Sequence, residues 1–231
     1  MELTRYVDAY CERIAPHYWA EPVNALTNLA FVMVAVLVWL FARQNRAPMT
    51  ATLCMIEMVI GLGSYLFHTH AQVWALWADI LPIAIFVLVY VFAINRDILG
   101  LRRVRAYGLT ALFFPYYALT LPMFQMLPGL GSSAVYGPVP LLILLYAVVL
   151  WGKQPVMARG FAIGAAILVL SLTLRTLDEP LCPLFPMGTH FLWHVLNGGM
   201  LGWMIVTYAR AWRVQSSEEM SPTLAGDAQG R

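Results

Sequence analysis

GLGSYLFHTHAQVWALWADILP, residues 61–82, runs out of one long apolar stretch and straight into the next, setting His68 at the end of the first and Asp79 in the opening turns of the second. The last apolar stretch starts in a similar way, since HFLWHVLNG, residues 190–198, opens on His190 and His194. Ionisable groups inside apolar spans are costly, so their default reading is functional.

Working outward, seven stretches are long enough, or nearly so, to cross a hydrocarbon layer that asks for about 20 helical residues. They run over roughly 22–42, 49–68, 74–94, 105–125, 136–151, 157–176 and 190–209, the fifth being short with Pro138 and Pro140 at its start. Hydrophobic residues make up 61% of the 231 and charged residues 11%, which leaves too little polar surface for a soluble globule. Isolated lipid-facing strands would leave backbone groups unpaired, so the spans read as helices. The expected fold class is an all-α integral membrane bundle of seven transmembrane helices. One domain covers residues 1–213, and 214–231 is polar and reads as a flexible tail. Residues 1–21 show no signal-peptide pattern and read as an amphipathic segment at the outer surface.

Charge sets the expected orientation. With the N-terminus outside, the inner connections and the C-terminal flank hold Arg43, Arg46, Arg96, Arg102, Arg103, Arg105, Lys153, Arg159, Arg210 and Arg213, ten of the fourteen basic residues. The outer connections 69–73 and 126–135 hold none, as an excess of cytoplasmic Lys and Arg predicts. The formal charge of +2 is therefore a topology signal, with no indication of a nucleic-acid partner.

In this topology Glu21, Asn24, His68, Asp79, His190 and His194 all fall in the outer half of the bilayer. His190 and His194 share a helical face because side chains at i and i+4 stack, and Ser64 and His68 do the same. Three neutral imidazoles with an open fourth position make a catalytic zinc geometry, whereas a structural zinc more often has four protein ligands. Zinc lowers the pKa of its water toward about 7 and polarises a carbonyl. Each residue also has an ordinary reading. A lone histidine at this depth can be a hydrogen-bonded interfacial residue, a serine can bond back to its own helix, and Asp79 can cap or pair. His17 and His70 fit solvent-facing segments and stay outside the site.

GLGSYLFHTHAQVWALWADILP, AEPVNALTN (20–28) and HFLWHVLNG together resemble the signature regions of the alkaline ceramidases, seven-helix membrane amidases related to adiponectin-receptor-like hydrolases. The family pattern GxGSxxFH matches Gly61, Gly63, Ser64, Phe67 and His68. Its aspartate before a proline matches Asp79 and Pro82, its HxxWH matches His190, Trp193 and His194, and its helix start matches Glu21, Asn24 and Asn28. Helices four to six match in length and character alone.

The resemblance implies zinc on His68, His190 and His194, Ser64 near the reacting carbonyl, and Asp79 handling the proton. It further implies a calcium site near the first helix, for which Glu12 and Glu21 match and Asp8 is loosely placed, in an acidic region sparser than the family's. The expected reaction is hydrolysis of the amide of ceramide or a similar N-acyl membrane lipid to a sphingoid base and a fatty acid. Phe113, Phe114, Tyr116, Tyr117 and Trp193 are candidate linings for the lipid, or routine packing. The alternative is a seven-helix lipid-binding or receptor-like protein in which zinc is structural. An oxidising exterior permits a Cys11–Cys182 bridge, with free thiols as the other reading.

Overall fold

The structure, a computed structural model, describes the backbone of residues 2–228 and the side chains of residues 2–217. Its helices are α1 (Pro22–Thr27), α2 (Leu29–Ala42), α3 (Thr50–His70), α4 (Val73–Ala93), α5 (Arg103–Ala111), α6 (Phe113–Gln125), α7 (Pro138–Leu150), α8 (Pro155–Thr176), α9 (Asp178–Leu181) and α10 (His190–Ala228). Proline opens α1, α7 and α8, where its missing N–H leaves no hydrogen bond unmade. Among the described residues the sole β feature is an isolated Tyr6–Gln72 bridge, so the all-α membrane bundle stands. The start of the expected tail continues α10 to Ala228, and 229–231 lie outside the described residues.

Among the described residues five helical paths are long and apolar enough to cross a membrane, rather than seven: Pro22–Asn45, Thr50–His70, Val73–Ile98, Gly131–Leu150 and Pro155–Thr176. The expected fourth span is interrupted at Leu112 into α5 and α6, and Tyr116, Tyr117, Pro115 and Pro122 dilute its apolar character. The expected seventh has the length, as α10, but His190, His194, Asn197 and three glycines lower its apolarity.

Helix α10 occupies the centre, packed on α8, α2 and α3, while α3 lies along α4 and α7 along α8. Buried Phe31, Ile60, Phe86, Tyr90, Phe161 and Ile205 join these helices in one core. Helix α6 has no buried residue and packs at the edge. Gly63 sets the α3–α4 spacing: a Cβ there would fall 2.7 Å from the Ala78 carbonyl carbon, an obstacle made of backbone. Small residues permit this close helix approach in lipid. We expect Gly63→Ala to destabilise the folded protein by about 3 kcal/mol through overpacking, read as a lowered unfolding temperature in detergent.

Residues 2–21 fold across the end of the bundle that carries the histidines. Val7 N–H donates to Ala71 O at 2.8 Å and Trp74 N–H to Leu3 O at 2.9 Å, tying the segment to the α3–α4 turn. A Cys11–Cys182 disulfide, Cα–Cα 5.5 Å, ties it to the chain before α10, so the permitted bridge is present. Asp178 reinforces this join. Its Oδ1 accepts the N–H groups of Thr189 (2.7 Å) and His190 (2.8 Å) at the start of α10, and its Oδ2 accepts Cys11 N–H at 2.9 Å. The Thr189 and His190 donors would otherwise be orphaned at the N-terminus of α10. Gly188, at φ 67°, makes the turn against Asp178, where a side chain would be both strained and obstructed.

Candidate metal centre

His68 lies in the last turn of α3, His190 begins α10 and His194 lies one turn further along it, and the chain reversals at 71–72 and 188 bring both helix ends to one level. The three rings converge, with centroids 5.1 Å (His68–His190), 4.7 Å (His68–His194) and 4.6 Å (His190–His194) apart. One ring nitrogen from each lies within 4.8 Å of the others, and all three side chains are buried.

Hydrogen bonding fixes which nitrogens remain open. Glu21 Oε2 accepts from His68 Nδ1 at 2.5 Å, which leaves His68 Nε2 buried and unpartnered. The Thr27 hydroxyl gives its proton to a carbonyl, Val23 O (2.8 Å) or Asn24 O (3.1 Å), so its oxygen accepts from His194 Nδ1 at 2.9 Å. His194 Nε2 is thereby left unpartnered, and so is His190 Nδ1. Buried nitrogens normally find partners. Three imidazoles with open nitrogens fit a tetrahedral zinc, whose nitrogen ligands sit about 3.4 Å apart, after small ring rotations.

The same contacts orient the rings. Burial raises the Glu21 carboxyl, but the hydrogen bond from His68 and the adjoining Arg13 guanidinium outweigh it and hold the group below its ordinary pKa. Glu21 therefore stays anionic, the carboxylate–histidine arrangement that supports metal ligands. Arg13 pairs with Glu21 and donates to His68 O at 2.6 Å. Tyr10 stacks on His190 at 3.7 Å, its hydroxyl pushed up to about 12 by burial, against the opposing pull of Arg175. Thr27→Val keeps the shape and removes the His194 acceptor. We expect a roughly tenfold loss of zinc affinity, measured by chelator competition.

Asp79 is buried on α4, and the Ser64 side chain of α3 stands beside its carboxylate, placed there by the Gly63 contact one residue earlier. His68 and Arg175 are both near enough to act on the Asp79 charge. The structure therefore gathers Ser64, His68, Asp79, His190 and His194 at one place. His17 and His70 are exposed and outside it.

The expected calcium set does not gather. Both Glu12 oxygens cap α1, accepting Val23 N–H at 2.7 Å and Asn24 N–H at 2.8 Å. Glu21 is held by Arg13, His68 and Asn24, and Asp8 is exposed. Among the described residues the three histidines are the group arranged for a metal. Of the aromatic residues expected to line the lipid, Trp193 lies at the site, 5.3 Å from the Tyr136 ring. Tyr116 and Tyr117 instead hydrogen-bond Pro138 O (2.7 Å) and Val135 O (2.9 Å), fastening α6 to the chain at the start of α7, and Phe114 is exposed.

Tyr10, Arg13, Thr27, Arg175 and Asp178 are site or supporting residues that the motifs did not mark. Arg175 had a visible signal, being a basic residue at the end of a span that the charge pattern predicts to face outward, where positive charge is otherwise scarce.

An all-α, multi-pass membrane fold with a buried three-histidine cluster beside a serine and an aspartate defines a membrane protein equipped to hold a metal. The ceramidase family model matches residues 6–224, and the chain belongs to that family, whose members are hydrolases acting on ceramide. No curated protein and no solved structure matches the chain.

Proposed function

We propose that this protein is a zinc-dependent intramembrane amidase that hydrolyses the N-acyl amide of ceramide-like lipids to a sphingoid base and a free fatty acid. The observation that carries the reading is the convergence of three imidazoles with open, buried nitrogens on the level of Ser64 and Asp79.

His68, His190 and His194 would hold the ion, with Glu21 and Thr27 fixing the first and third rings. When bound, zinc supplies Lewis acidity and lowers the pKa of the hydrolytic water. Asp79 accepts a proton from that water as its oxygen bonds to the acyl carbon. As the C–N bond breaks, Asp79 returns the proton to the departing amine, a base turned acid. Ser64 donates a hydrogen bond to the developing oxyanion, a role worth roughly 3 kcal/mol where it has been removed elsewhere. An apolar pocket between α4, α7, α8 and α10, lined by Phe86, Tyr90, Val139, Ile143, Phe161 and Leu201, offers the lipid tail an apolar path beside the site. Phe86 and Leu201 lie seven residues along their helices from Asp79 and His194, about 10 Å of rise. The charge asymmetry supports an exterior N-terminus and hence a site in the outer half of the bilayer.

The test is fatty-acid release from ceramides of varied chain length by purified protein, with zinc determined on the same samples. Release with about one zinc per chain is expected. Zinc-loaded, folded protein that releases nothing would favour the lipid-binding alternative, and protein that takes up no zinc would remove the metal assignment.

A further inference from the structure

Arg175, in the last turns of α8, sits where a membrane protein has little reason to keep a cation. Its guanidinium carbon lies 5.2 Å from the Tyr136 ring centre, 5.8 Å from Tyr10 and 5.9 Å from Trp193. Nη1 donates to Ser132 Oγ (3.0 Å) and Ser133 Oγ (2.8 Å), and Nη2 donates to Tyr10 Oη (3.4 Å). Every one of these partners is neutral. Among the described residues no carboxylate pairs with Arg175. A guanidinium has five N–H donors in a planar fork, so these three bonds leave two for an oxygen-rich anion.

The neighbourhood ties this cation to the histidine cluster. Tyr10, which accepts from Arg175, stacks on His190, and Trp193 lies between the two α10 histidines in sequence. Tyr136, whose ring lies 5.2 Å from the guanidinium carbon, stands three residues before Val139, one of the α7 residues that line the apolar pocket. An anion on Arg175 would thus adjoin the cluster through Tyr10 and the α7 end of the apolar pocket through Tyr136.

We propose that Arg175 anchors a carboxylate-binding site that receives the head of the long-chain fatty acid produced at the histidine cluster, a step that rests on the amidase reading above. Amide cleavage turns a neutral carbonyl group into a carboxylate in a low-dielectric site. A fixed guanidinium with free donors binds that product in preference to the uncharged substrate, and bidentate pairing gives the geometry. Tyr10, Tyr136 and Trp193 hold the guanidinium in place by cation–π contact while its charge waits for a partner.

The test is equilibrium binding of radiolabelled palmitate to the purified full chain, compared with Arg175→Gln and Arg175→Lys, each zinc-loaded and zinc-stripped, with hexadecanol as an uncharged competitor. Unfolding temperature and ceramide hydrolysis are recorded on every sample. Glutamine is expected to weaken palmitate binding at least tenfold and lysine to fall between, with hexadecanol competition alike in all three. The Arg175 dependence persists without zinc. Palmitate affinity unchanged in folded Arg175→Gln overturns the proposal, as does binding that vanishes with zinc regardless of residue 175. Should the glutamine variant fail to fold, an unchanged affinity in Arg175→Lys overturns it equally. Arg175-dependent palmitate binding without ceramide hydrolysis would leave this site standing and remove the amidase reading, while hydrolysis with Arg175-independent binding would do the reverse.

Discussion

Alanine at His194 is expected to strip zinc from the purified protein and to lower ceramide hydrolysis by about 10⁴-fold or more, since Lewis acidity and the activated water depend on the ion. His194 reaches the cluster from the second turn of α10, and its Nε2 has no other partner. Removing it leaves two imidazoles, which do not complete the three-ligand set of a catalytic zinc. The loss should be chemical rather than architectural, because the core helices still pack through Phe31, Trp193 and Leu201. Alanine at His70 is the matching control. That residue is two positions from His68, but it is exposed and packs on Trp74, 5.0 Å away, so its replacement should leave zinc content and turnover unchanged. Metal analysis and fatty-acid release on the two variants side by side check the prediction. Zinc retained in His194→Ala would show that the ion is held elsewhere.

The contrast between His68 and His70 also marks what could be read from the chain. His68 was separable from His70 because it repeats the position of Ser64 one turn earlier and shares a membrane level with His190 and Asp79, which are periodicity and topology arguments. The structure adds that Ala71 turns the chain at φ 47°, which keeps α3 and α4 in immediate register. Other features were illegible for physical reasons. Asp178 lies in a short polar segment that any loop can carry, and its use as a cap for α10 depends on Gly188 folding back against it. Glu12 resembles a cation ligand by position, yet both its oxygens are taken by the first turn of α1, a tertiary cap that spacing does not reveal. Tyr10 falls in the segment read as amphipathic and lying at the surface, which the disulfide and the pairing beside Gln72 draw over the cluster. The span count failed where apolarity was diluted, at the interruption at Leu112 and along the polar face of α10, the same face that supplies two histidines.

Asparagine at Asp79 should separate chemistry from metal binding. The amide has nearly the shape of the carboxylate and remains beside Ser64, but it cannot accept a proton from water at working pH or hand one to the amine. General acid–base catalysis of this kind contributes about 10²–10⁴-fold, so hydrolysis should fall by about 10³-fold in Asp79→Asn. Zinc content should remain near one per chain, because the nitrogens of His68, His190 and His194 converge without Asp79 among them. Ser64→Ala then gives the companion measurement. Losing one oxyanion donor costs about 10²–10³-fold, again with zinc retained. Because Ser64 and Asp79 adjoin one another, the double variant should lose less than the product of the two single effects. Fully multiplicative losses would mean that the serine acts on the substrate independently of the aspartate. Loss of zinc in Asp79→Asn would instead make the aspartate a support of the metal centre, and the proton transfer would have to be assigned to another group.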